Sequence, residues 1–171
     1  MSRTKRLVLL ALLVAMASAV HVLESRFPLP VPVPGVKLGL ANIVSLLAIV
    51  ILSWQDAVYI AVTRVTIGSL FGGSLLGPAF VMSLGGALVS IFIMAYIRHS
   101  YQKVFSLVGV SLFGAAAHNL AQVVLAAALV NSSGLLWYLP YLLLFAVPTG
   151  LCTGLAANYF LVGSGKLWFQ N

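Results

Sequence analysis

The stretch Pro34-Gly35-Val36-Lys37-Leu38-Gly39-Leu40-Ala41-Asn42 passes from punctuation to an apolar run within nine residues. Before it, Pro28, Pro30, Pro32 and Pro34 alternate with apolar residues. Each X-Pro step disfavours the helical conformation, so residues 24–37 read as a loop. After it, residues 38–53 are apolar apart from Asn42, Ser45 and Ser53, and read as a helix. A cation, Lys37, and an amide, Asn42, stand at the junction, an arrangement suited to meeting a ligand near a membrane face.

Working outward, the whole chain shares this apolar character. Its 171 residues are 62% hydrophobic and 6% charged, with a mean hydropathy of +1.13. A soluble domain carries roughly 25% charged residues, so the sequence reads as an all-α, polytopic membrane protein forming a single domain over 1–171. A β-barrel is disfavoured because the apolar runs are continuous and not alternating. The net charge of +7 comes from nine Lys and Arg scattered singly at segment ends, without the basic face that nucleic acid requires. Cys152 is the only cysteine, so no internal disulfide forms.

Six spans are expected, over about 7–23, 38–53, 57–71, 79–97, 105–130 and 138–162. The first follows Arg3, Lys5 and Arg6 and ends in Ala17-Ser18-Ala19, which imitates a signal-peptide cleavage site. The alternative is a retained helix whose Ala11, Ala15 and Ala19 recur every four residues as a smooth packing face. Trp54-Gln55-Asp56 reads as an interfacial turn, Gly72, Gly73, Gly77 and Pro78 as a break, and Arg98-His99-Ser100-Tyr101-Gln102-Lys103 as the most polar loop. A bend is expected at Pro148. Six spans put Arg3, Lys5, Arg6, Arg98, Lys103 and Lys166 on one side and Arg26 and Lys37 on the other. The positive-inside rule then makes both termini cytoplasmic and loop 24–37 extracytoplasmic.

Two polar features sit in mid-span. Arg64 is a charge in an apolar segment, costing about 2.5–3.5 kcal/mol even on a lenient insertion scale. Asp56 lies eight residues before it, about 12 Å along a helix, too far for direct pairing. Arg64 either binds backbone carbonyls freed by the broken segment or helps hold an anionic ligand. His118 and Gln122 share a helical face, with Asn119 beside them. They read either as interhelical hydrogen-bonding glue or, with Lys37, Asn42 and Arg64, as a ligand pocket. The pairs Gly68/Gly72, Gly73/Gly77 and Gly150/Gly154 have the small-x-x-x-small spacing of close helix packing. Two three-span repeats of opposite topology would make Asn42 and Asn119 equivalent.

No catalytic chemistry is expected. Gly163-Ser164-Gly165-Lys166 lacks the Ser or Thr and the upstream Gly of a phosphate-binding loop. His21, His99 and His118 have no metal-ligand spacing, and two carboxylates are too few for a Mg²⁺-diphosphate site. No cofactor and no metal is called for.

Pro34-Gly-Val-Lys-Leu-Gly-Leu-Ala-Asn42, Arg64-x-x-x-Gly-Ser69, Gly85-Gly86 and His118-Asn-x-x-Gln122 together resemble the Gx transporter family, many of whose members are labelled heptaprenyl diphosphate synthase component I. That family resembles, more distantly, the S components of energy-coupling factor (ECF) vitamin transporters. The resemblance implies six helices, an outward-facing pocket capped by the loop after the first helix, and an alanine pattern, here Ala11, Ala15 and Ala19, that docks a coupling subunit. The expected function is therefore a cell-membrane subunit that captures a small molecule, anionic or electron-rich, from the outer face and is energised by partner subunits, a coupling subunit and ATPases. The alternatives are a membrane subunit linked to isoprenoid or quinone metabolism, or one working beside a flavoprotein in extracellular electron transfer.

Overall fold

A computed structural model describes residues 2–26 and 40–163. Among these the chain forms α1 (Arg3–Arg26), α2 (Asn42–Ile51), α3 (Trp54–Phe71), α4 (Pro78–Tyr101), α5 (Leu107–Val130) and α6 (Leu139–Gly163), with a 3₁₀ turn (Ser133–Tyr138) before α6. The all-α expectation holds. Lys37, most of loop 24–37, and Lys166 lie outside the described residues.

Several helix ends differ from expectation for local reasons. Trp54-Gln55-Asp56 is the first turn of α3 and not an interfacial turn. The Ser53 hydroxyl accepts from the Asp56 backbone N–H at 3.1 Å and donates to the Asp56 carboxylate at 2.8 Å, which satisfies orphan groups and starts the helix. The fourth helix spans 78–101 in place of 79–97, so Arg98 and His99 belong to its last turn and not to a loop. Its start is set by Pro78 at the first helical position, where the missing N–H costs nothing. The first helix is longer than expected, 3–26 in place of 7–23, and the second shorter, 42–51 in place of 38–53. The fifth begins at Leu107 behind the Ser106 cap, whose hydroxyl accepts from Gly109 N–H, and ends at Asn131 in the left-handed region at φ 53°. Pro148 lies inside α6.

Side-chain contacts fix how the helices run. Arg6 at the start of α1 meets Asp56 at the start of α3, and His21 packs on Gly68 farther along both helices, so α1 and α3 are parallel neighbours. Gly86 of α4 abuts His118 and Gln122 of α5, while Gly114 of α5 abuts Met94 of α4, so these two are antiparallel. Gly150 and Gly154 of α6 lie against the backbone of Leu112 and Val108 of α5, again antiparallel. The 150/154 pair thus performs the close packing that its spacing suggests.

Core packing is centred on α2. Asn42, Val44, Ser45, Leu46, Leu47, Ala48 and Ile49 are all buried, as befits a ten-residue helix that is apolar but for Asn42 and Ser45. Leu46, Ile60, Ile91 and Leu107 share its cluster, and a smaller one joins Met82, Val123, Ala126 and Leu142. Among the described residues, four segments are long and apolar enough to cross a membrane: Arg3–Glu24, Pro78–Tyr101, Leu107–Val130 and Ser133–Gly163. α2 falls short because ten residues cover about 15 Å, half of a hydrocarbon core. α3 is long enough, but Gln55, Asp56 and Arg64 dilute its apolar character.

Candidate functional site

Arg64 sits in the middle of α3 at 2% exposure. Its Nη2 donates to the Oδ1 of Asn42, the first residue of α2, at 3.1 Å. The sequence had offered backbone carbonyls or an anion as partners; the structure gives the guanidinium a side-chain amide. Asp56 does not pair with Arg64, as its distance along the helix required. It is held instead by Arg6, whose Nη2 lies 2.8 Å from both carboxylate oxygens.

The carboxylate near Arg64 is Glu24, which interacts with it electrostatically. Glu24 is buried at the end of α1 and accepts from the Leu40 backbone N–H at 3.3 Å, tying the end of α1 to the approach to α2. His21, one turn earlier, is also buried, and its ring fills the space left by Gly68: a Cβ there would come within 2.3 Å of it. Sequence reading left Glu24 and His21 out of the site. The available signal was their spacing, since Ala17, His21 and Glu24 recur at helical intervals and form one buried face of α1.

The second polar group lies on α5. His118 and Gln122 face Gly86 of α4, where a Cβ would come within about 3.0 Å of either side chain. Asn119 turns to α6 and donates to the Leu142 carbonyl at 2.6 Å. All three side chains are buried, Gln122 completely. Ser83 and Ser90 of α4 and the Ser111–Thr153 hydroxyl pair add to this polar seam. The Cα atoms of α3 and α5 stay more than 8 Å apart among the described residues, and α2 and α4 each pack against both helices.

Buried polar atoms remain in both clusters without a hydrogen bond among the described residues. They include Arg64 Nε, Asn42 Nδ2, Ser45 Oγ and Asn119 Oδ1. Such a group costs about 1–3 kcal/mol when left unmet, so these atoms mark where a polar molecule has most to gain. Ala11, Ala15 and Ala19 are exposed, whereas α1 packs inward through Leu13, Ala17 and His21. No group of three metal-binding side chains occurs among the described residues.

A family described as heptaprenyl diphosphate synthase component I matches residues 13–160, from the first helix to the sixth. The chain belongs to that family. The match agrees with the resemblance carried by Pro34 to Asn42, Arg64 to Ser69 and His118 to Gln122, and all three motifs fall within it. No curated protein and no solved structure matches the chain. This is a membrane protein of the heptaprenyl diphosphate synthase component I family, with a buried arginine–amide pair between α3 and α2 and a buried histidine–amide face on α5.

Proposed function

We propose that the chain is a membrane-embedded binding subunit for a small polar molecule, taken from outside and moved with energy supplied by partner subunits. The observation that supports this most is the buried Asn42–Arg64 pair, whose Nδ2 and Nε donors are unused among the described residues. Burying a guanidinium is costly even with an amide partner, and such groups in membrane segments mark substrate paths. In this reading Arg64 and Asn42 hold one end of the ligand, His118, Asn119 and Gln122 the other, and Lys37 approaches from the loop.

Charge narrows the ligand. Glu24 already balances part of the Arg64 charge, so the site accommodates a molecule with hydrogen-bonding groups and at most a modest negative charge. The family description connects such a chain to prenyl diphosphate synthesis. A synthase would need carboxylates to hold Mg²⁺ and diphosphate, and the sequence has only Glu24 and Asp56, one near Arg64 and the other bound to Arg6. A binding role therefore suits these residues better than catalysis.

The proposed topology has six spans, with both termini in the cytoplasm. Arg3, Lys5, Arg6, Arg98 and Lys103 lie at one end of the bundle and become cytoplasmic under the positive-inside rule. The Asn42 end then faces outward. The exposed Ala11, Ala15 and Ala19 offer a smooth face to a coupling subunit. Affinity purification from gently solubilised membranes tests this role. Recovery of a membrane coupling subunit and ATPases, reduced by Ala15→Leu, is expected; recovery of a flavoprotein alone would replace transport with electron transfer.

A further inference from the structure

The end of the bundle opposite Asn42 carries a second polar and aromatic feature. Two adjoining cavities of about 370 and 360 Å³ open where the ends of α2 and α4 meet the start of α3. They share Trp54, Ala95 and His99, so they form one groove with two kinds of lining. Arg98, His99 and Gln102 line the polar part, and Phe92 and Tyr96 extend the apolar part beyond Trp54.

The apolar part is built and outward-facing. Trp54, Phe92 and Tyr96 are 46%, 51% and 60% exposed, and the Trp54 and Phe92 rings stand 6.0 Å apart at 49°. Aromatic side chains of this kind favour the membrane–water boundary. The polar part has positive character without a carboxylate in its lining. Asp56, the nearest acid along the chain, is already neutralised by Arg6. Arg98 takes part in a contact within the protein, but a guanidinium has five N–H donors and a fork that matches phosphate oxygens. The start of α3 adds the positive end of its dipole, partly offset by the negative end of α4.

We propose that this groove holds one anionic phospholipid of the surrounding bilayer. Its phosphate sits on Arg98, with Gln102 and His99 beside it, and its acyl chain runs along Trp54, Phe92 and Tyr96. A free phosphate would use the polar part alone and leave the aromatic wall without a role. The site is independent of the proposed transport role, since it depends only on the chain lying in a membrane.

Fluorescence quenching reads this directly. Trp137→Phe with Trp168→Phe leaves Trp54 as the only tryptophan, and the protein is reconstituted into phosphatidylcholine vesicles containing brominated lipid. Brominated phosphatidylglycerol is expected to occupy the groove roughly fivefold better than brominated phosphatidylcholine, as expected for one basic contact to an anionic lipid. Arg98→Gln is expected to abolish the preference and Arg98→Lys to restore part of it. Gln102→Ala, at an exposed position, gives an independent smaller loss if Arg98→Gln does not fold. Equal quenching by both lipids, or a preference unchanged in Arg98→Gln and Gln102→Ala, would overturn the proposal. So would loss of the preference on adding inorganic phosphate, which would assign the groove to a free anion.

Discussion

Single residues decide where charge can be tolerated in this chain. Both carboxylates have a positive neighbour: Asp56 is gripped by Arg6, and Glu24 lies in the field of Arg64. Asp56 also caps α3 with Ser53, so Asp56→Ala removes an ion pair and a cap together. Apparent stability in detergent should fall by about 1–2 kcal/mol, read as a lower thermal midpoint, with Arg6→Ala costing less because the Arg6 side chain is half exposed. Gly68 gives a second residue-level test. Gly68→Ala drives a Cβ to 2.3 Å from the His21 ring and should cost about 1–3 kcal/mol. The same change in a His21→Ala background should cost much less, and a double-mutant cycle on thermal midpoints measures the coupling. The Ser53-Trp54-Gln55-Asp56 cap was legible, since it has the Ser-x-x-acid pattern before an apolar run. Reading Trp54-Gln55-Asp56 as an interfacial turn obscured it. The Arg6–Asp56 and Glu24–Arg64 relations were not legible, because each joins residues 40 or more positions apart that only the parallel packing of α1 and α3 brings together.

At the scale of elements, the glycines separate contacts that can adjust from those that cannot. Gly154→Ala would place a Cβ 2.7 Å from the Val108 Cα, and backbone cannot rotate away, so α5 and α6 must move apart. Gly85→Ala meets the Leu125 Cδ1, the far end of a flexible side chain. Thermal midpoints should therefore fall clearly for Gly154→Ala and little for Gly85→Ala; the reverse order would contradict the packing of α5 on α6. The Gly150/Gly154 spacing was readable as a close-packing signal, though not its partner helix. The alanine pattern of α1 was readable too, but not its direction: α1 packs inward with Leu13, Ala17 and His21 and leaves Ala11, Ala15 and Ala19 exposed. An alternation of small residues marks a smooth face, and only tertiary packing says whether that face is used inside the chain.

For the whole molecule, composition was enough to establish a helical membrane protein, because an apolar chain can satisfy its backbone in lipid only through helices or a closed barrel. The arrangement of polar groups was less accessible. Arg64 donates to Asn42 between α3 and α2, while His118 and Gln122 of α5 face α4 and Asn119 turns to α6. Topology has its own expected outcome: a reporter fused after Asn171 should be active in the cytoplasm, and an active periplasmic reporter would reverse the proposed orientation. The most direct test of the binding role is native mass spectrometry after gentle detergent extraction, comparing the wild-type chain with Arg64→Gln and Asn42→Ala. The account predicts that the wild-type protein carries a small molecule, seen as an added mass, and that both variants release it while remaining folded and monodisperse. A wild-type protein with no added mass, or variants that retain the same adduct at the same occupancy, would contradict it.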